Sequence, residues 1–166
     1  MGEIKYYNTN NKSERVSFET ALMKGLASNY GLYMIAKEDI PRLEPKTIKA
    51  MKNMSYAQIA FEVLYPFLKG EVNKKDLEDI FEDAYNEEEI PTYVQHVTGK
   101  TYIMWLSNGP TYSFKDYAAR FFARVLNYFL KQSKLKRVVA VATSGDTGGA
   151  VADALHNLES VDNVVF

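Results

Sequence analysis

The chain has 166 residues, of which 46% are apolar and 25% charged, with a formal net charge of -1 and no cysteine. That is the make-up of a globular protein of one domain to one and a half; it excludes structural disulfides and thiolate zinc sites, and it supplies no global field to draw in nucleic acid or a membrane surface. No apolar run approaches the roughly 20 residues of a transmembrane helix, and the polar stretch from Met1 to Asn10 lacks the apolar core of a signal peptide, so a cytoplasmic location is expected.

Residues 1 to about 90 read as mostly helical behind an extended entry. Ser17 precedes Phe18, Ala21, Leu22 and Leu26, which is helical spacing behind an N-cap, and predicts a helix over 17–27 with Asn29 and Gly31 as its stop. Pro41 and Pro45 punctuate the stretch that follows. Ser55 caps a predicted helix over 55–67 that carries Ile59, Val63 and Phe67 and is ended by Pro66 and Gly70. Asn73 caps another over 73–85, with Leu77, Ile80, Phe81 and Ala84 on one face. Asp76 to Glu89 holds eight acidic residues and no basic one. Such a run reads either as a surface for a cation or basic partner or, by preference, as a solvated face opposite the apolar stripe.

From residue 92 on, strand and helix alternate. Residues 101–106 predict a strand and Ser107 to Pro110 a turn. A helix over 114–131 buries Ala118, Phe121, Phe122, Val125 and Phe129, with Asp116 and Arg120 spaced i, i+4 on a side that can face solvent. Residues 137–142 predict a buried, parallel strand. A glycine-rich turn over 143–149 opens a helix over 147–158, and a further strand begins at Val161. The fold class expected is α/β, a mostly helical domain followed by the beginning of an open α/β domain. Ending as a strand begins is unusual for a complete domain.

Two segments carry chemistry. In residues 109–116, Gly-Pro-Thr-Tyr-Ser-Phe-Lys-Asp, Lys115 stands where a loop enters a helix, near the C-terminal end of a strand, the place where open α/β sheets bind ligands. A cation is disfavoured at a helix start, and Tyr112 and Phe114 flank this one. Positive potential and poor solvation both favour the neutral amine, the form a Schiff-base nucleophile uses. In residues 142–149, Ala-Thr-Ser-Gly-Asp-Thr-Gly-Gly, a strand runs into a turn rich in hydroxyls and glycine. Its amides, with the hydroxyls of Thr143, Ser144 and Thr147, suit an anion; read alone, the segment fits a capped tight turn equally well. It is neither a Walker loop nor a dinucleotide fingerprint.

Together and in this order, the two segments resemble threonine synthase, of the β-family or fold type II of pyridoxal-phosphate enzymes. Tyr6-Tyr7-x-Thr9, Phe18, Ala21, Gly25-Leu26-Ala27, Gly31-Leu32-Tyr33 and Ser55-Tyr56-Ala57 are similar to the family's opening. The resemblance implies residues 1–91 as the family's N-terminal helical domain and 92–166 as an incomplete start of the catalytic domain. It implies that Lys115 carries pyridoxal 5′-phosphate as a Schiff base, with Phe114 beside the cofactor and Asp146 near its 3′-oxygen. Ser144, Gly145 and Thr147 would hold the substrate carboxylate. Asp146 stands where relatives acting on other amino acids have asparagine, and Asn108 where many members have histidine.

The reaction implied turns O-phospho-L-homoserine and water into L-threonine and phosphate. The family's loop for the cofactor phosphate and its partner for the pyridine nitrogen come later than anything matched here. A truncated chain, inactive alone, that binds the cofactor weakly at best and can self-associate is therefore expected. The competing readings are another fold type II enzyme, such as a dehydratase or a cysteine or tryptophan synthase, and a non-catalytic anion-binding module.

Overall fold

The structure, a computed structural model that describes residues 3–166, divides into two units between Asp79 and Ile80. In the first, strand β1 (Tyr6–Asn8) pairs antiparallel with β2 (Asn11–Val16) on one side and with β3 (Tyr33–Ile35) on the other. The three strands are more sheet than an extended entry to a helical half. Two are only three residues long and β2 is polar at all but its last position, so they give little of the apolar alternation by which a strand is read from sequence.

Helix α1 (Phe18–Lys24) starts at the predicted cap: the Ser17 side chain accepts from the Thr20 amide at 3.1 Å. The Glu71 carboxylate adds an anion to the same helix start, accepting from the amides of Phe18 and Glu19 at 2.7 and 2.8 Å. The helix stops at Gly25, short of Asn29 and Gly31, and Leu26 lies beyond it, exposed. Pro45, read as a breaker, instead opens α2 (Pro45–Ala50), since its missing N–H is one that a first helical turn does not use.

Helix α3 (Tyr56–Leu68) begins with a full capping box between Ser55 and Gln58. It runs through Pro66 and ends two residues later, at Leu68. Ala57, Phe61 and Leu68 are its buried residues, while Ile59, Val63 and Phe67 are half-buried. Helix α4 (Lys74–Ala84) follows, with the Asn73 side chain accepting from the Lys75 amide at 2.8 Å. Leu77, Phe81 and Ala84 are buried, as their spacing predicts.

The second unit begins within α4. Strands β4 (Tyr93–Thr98) and β5 (Thr101–Trp105) form an antiparallel hairpin that is a two-stranded sheet of its own, and its residues are exposed. The strand expected at 101–106 is therefore present but does not join the later strands. Helix α5 (Lys115–Ser133) is the spine of the unit. Strand β6 (Arg137–Val141), helix α6 (Asp146–Leu155) and strand β7 (Val161–Val165) make a β-α-β unit, with β6 and β7 parallel in the register Arg137↔Val161. Among the described residues β7 is the only strand beside β6. For that reason β6, a buried strand by its apolar run alone, is largely exposed, as are Val164 and Val165.

Two side chains on α5 depart from their predicted setting. Asp116 and Arg120 do not face solvent; they are 1% and 4% exposed. Ala118, expected in the buried stripe, is exposed, and Phe121 and Phe122 are half-buried. Arg120 accounts for the difference. Its Nε donates to the Ala84 carbonyl at 2.7 Å, and its guanidinium meets the carboxylates of Glu89 and Asp153. Arg124 Nε likewise donates to Asp83 at 2.6 Å. Part of the acidic run is thus answered by the chain's own arginines.

Candidate functional site

The loop from β5 into α5 is held by hydrogen bonds that the sequence does not advertise. The Tyr112 amide donates to the Gly109 carbonyl at 3.1 Å, and the Asp116 amide to the Ser113 carbonyl at 3.0 Å. The Asp116 carboxylate reaches back, accepting from the Thr111 amide at 3.0 Å and the Thr111 hydroxyl at 2.6 Å. Gly109 packs so closely on Asp116 that a Cβ there would lie 2.9 Å from the Asp116 Cβ and overlap its carboxylate. Tyr112 adopts φ 57°, a left-handed backbone that an aromatic residue keeps only when its surroundings enforce it.

Lys115 is the first residue of α5, as predicted. Its Nζ lies 3.4 Å from Asp146 Oδ2 and 4.5 Å from the centre of the Phe114 ring. Of the predicted aromatic flank, the Phe114 ring lies under the amine. Asp146 is the first residue of α6, so Lys115 and the glycine-rich turn, thirty-one positions apart, meet at one place.

The turn itself is exposed at Ser144, Gly145, Asp146 and Thr147. Gly145 is the N-cap residue at φ 143°, a conformation glycine alone takes without strain. Thr143, grouped by sequence with the anion-binding hydroxyls, has a structural task. Its Oγ1 accepts from the amides of Gly145 and Gly148 at 3.2 and 3.3 Å. The amides of Asp146 and Thr147 begin the helix, where no carbonyl of a preceding turn exists to receive them. The Ser144 and Thr147 side chains stand at this opening.

Beside the lysine is an open depression of about 290 Å³, lined by Met104, Trp105, Leu106, Ser107, Tyr112, Ser113, Phe114 and Asp146. Its lining thus includes Phe114 and Asp146 of the predicted site residues. Sequence reasoning missed the roles of Asp116, Thr111 and Thr143. The only signal was position: an aspartate at the second residue of a helix, with a threonine five residues before it.

Comparison with known proteins agrees along the chain. Residues 5–85 match the family described as threonine synthase N terminus. Threonine synthase of Pseudomonas aeruginosa is 31% identical over 161 residues, covering 96% of this chain and 34% of that protein. Threonine synthase-like 2 of Mus musculus is 34% identical over 164 residues, covering 97% of this chain and 34% of that protein. The crystal structure of PLP-bound threonine synthase from Brucella melitensis superposes with a TM-score of 0.90 at 31% identity, over 98% of this chain and 35% of that one. The chain spans about a third of the length of these relatives. It is similar to the N-terminal portion of threonine synthase over nearly its whole length, and its residues 5–85 match the threonine synthase N-terminus family.

Proposed function

We propose that this chain supplies the cofactor lysine and the substrate-carboxylate turn of a threonine synthase, a pyridoxal-phosphate-dependent lyase that converts O-phospho-L-homoserine and water into L-threonine and phosphate. The observation that carries the reading is the meeting of Lys115 with the start of α6, at 3.4 Å between Nζ and Asp146 Oδ2. A covalent amine and an anion turn have to serve one small molecule, and here they share one rim.

The residues present fit pyridoxal 5′-phosphate. Lys115 offers a primary amine beside an open depression, Phe114 an exposed ring, and Asp146 a carboxylate within reach of the amine. When bound, the cofactor supplies the electron sink that makes protons at the substrate Cα and then Cβ removable. Lys115 would hold the cofactor through its Nζ, and the same amine would be the group that moves those protons. To do so Nζ must first leave the Asp146 carboxylate. Ser144, Gly145 and Thr147 would receive the substrate carboxylate at the α6 N-terminus, where the first helical amides, those of Asp146 and Thr147, and the helix dipole favour an anion.

The proposal takes residues 1–91 as an N-terminal domain and 92–166 as the start of the catalytic one. Its partner is a small molecule rather than nucleic acid, in keeping with the net charge of -1. The location is cytoplasmic, supported by a described chain in which no helix is long and apolar enough to cross a membrane. These 166 residues by themselves are expected to be inactive. The test carries them in a chain of the relatives' length and measures phosphate release from O-phospho-L-homoserine with the cofactor present. Release that depends on Lys115 supports the reading; turnover of serine or threonine alone would move the protein to another branch of the same enzymes.

A further inference from the structure

We infer that Asp116 is the positioning residue of the Lys115 site, clamping the loop that forms one wall of the depression; this rests on the function proposed above. Asp116 is 1% exposed. A buried carboxylate has to recover its lost hydration from partners in the protein. Among the described residues the partners it finds are the Thr111 amide at 3.0 Å and the Thr111 hydroxyl at 2.6 Å, rather than a lysine or arginine. An aspartate in a first helical turn gains from the helix dipole even when it points to water. Burial against a loop five residues upstream goes beyond that role.

The clamp has a geometric consequence. With Thr111 drawn to Asp116 and Gly109 pressed against the same side chain, the loop closes on itself through the Tyr112 amide and the Gly109 carbonyl. Tyr112 is left at φ 57°. Tyr112, Ser113 and Phe114 then line the depression, and the Lys115 amine lies over the Phe114 ring. Asp116 does not line the depression, and its carboxylate acts through Thr111.

The test uses Asp116→Ala, Thr111→Val and Thr111→Ser in the full chain, with two readouts. The first is hydrogen exchange at the Thr111 amide. The second is borohydride trapping with pyridoxal 5′-phosphate, read by peptide mapping as the ratio of label at Lys115 to label at the exposed Lys134. In trapping, amine and aldehyde condense with loss of water, and borohydride reduces the C=N bond to a secondary amine. Asp116→Ala is expected to speed Thr111 exchange and lower the labelling ratio by about tenfold or more, as for a lost hydrogen bond to a charged group. Thr111→Val lowers the ratio less, and Thr111→Ser, which keeps the hydroxyl, restores it. Should Asp116→Ala fail to fold, the threonine pair still decides. An unchanged ratio in Thr111→Val and Asp116→Ala, even with altered melting, overturns the positioning role and leaves the Lys115 reading standing. Label in the unaltered chain that is no greater at Lys115 than at Lys134 overturns that reading, and this inference with it.

Discussion

Arg120 Nε, in the middle of α5, donates to the carbonyl of Ala84, the last residue of α4, at 2.7 Å. The last carbonyls of a helix have no amide of their own helix to accept from, and a cation there also meets the negative end of the helix dipole. One buried side chain thus ends α4 and ties it to α5, while Glu89 and Asp153 balance its charge. Replacing Arg120 with alanine is expected to cost about 1.5–3 kcal/mol, the range for a hydrogen bond to a charged group. Arg120→Lys should recover only part of this, since a single ammonium cannot reproduce the guanidinium fork. Urea unfolding of the two variants measures it, and an equally stable Arg120→Ala protein would refute it.

The same residue marks the limit of what the sequence discloses. Cap signals are local, so Ser17, Ser55 and Asn73 announced three helix starts correctly, and the glycine-rich turn announced α6. Asp116 and Arg120 look like an ordinary i, i+4 surface pair because that spacing contains no information about Thr111, Ala84 or Glu89. The predicted stripe on α5 is correct at Val125 and Phe129, which are buried, and fails at Ala118, which is exposed. β1 and β3 carry little periodic signal because they are three residues long, and β2 and β4 because their apolar residues do not alternate with polar ones. Lys115 and its motif were legible; its meeting with Asp146 at 3.4 Å is a fact of the fold.

Gly109→Ala should destabilise the loop by steric overlap alone. Its Cβ would press on the Asp116 carboxylate and approach the Asp116 Cβ to 2.9 Å. Overpacking of this kind costs about 1–3 kcal/mol. The added cost should shrink when Asp116 is alanine, because the overlapping oxygens are gone. A double-mutant cycle by thermal unfolding reads that coupling, and additive effects would contradict the contact.

Acid should loosen the first unit through Glu14. Its carboxylate accepts from Asn8 Nδ2 at 2.7 Å and the Tyr33 hydroxyl at 2.8 Å, and from the Ser28 hydroxyl. The Ser28 bond, followed by those from Asn8 and Tyr33, pulls its pKa down to about 2. A carboxylate held below its unfolded value contributes stability above the unfolded pKa and loses it as pH falls toward the folded one. The window therefore runs from about pH 4.3 down to about 2. Glu14→Gln should flatten the fall in stability across that window. Equal slopes for the two proteins would exclude Glu14 as the source.

Exposed apolar side chains should drive self-association. Val138, Val164, Val165 and Phe166 lie on or beside the β6–β7 sheet, and Tyr102, Ile103 and Trp105 on the β4–β5 hairpin. Contiguous apolar surface and open strand edges both favour pairing with another chain. Light scattering across a concentration series is expected to show mass rising above that of one chain, and Val138→Lys should suppress the rise. A single-chain mass at every concentration would show that these surfaces do not stick.

The chemistry is tested most directly at Lys115. In a chain of the relatives' length, Lys115→Ala should abolish the visible absorbance of lysine-bound pyridoxal phosphate and the conversion of O-phospho-L-homoserine, because this lysine alone opens α5 beside the depression and the α6 turn. In these 166 residues the same absorbance should be weak even with Lys115 intact. The depression beside the amine is open, and the turn at Ser144–Thr147 is assigned to the substrate carboxylate, so the cofactor phosphate has no assigned grip among the described residues. Each charge-assisted hydrogen bond to that phosphate is worth about 1.5–3 kcal/mol, so several of them separate tight from weak binding by orders of magnitude. Titration of the cofactor into the 166-residue chain, followed by borohydride trapping, measures both the affinity and the lysine used. Stoichiometric tight binding would mean that this chain holds the phosphate by itself. Reduction onto a lysine other than Lys115 in the longer chain would remove Lys115 from the mechanism.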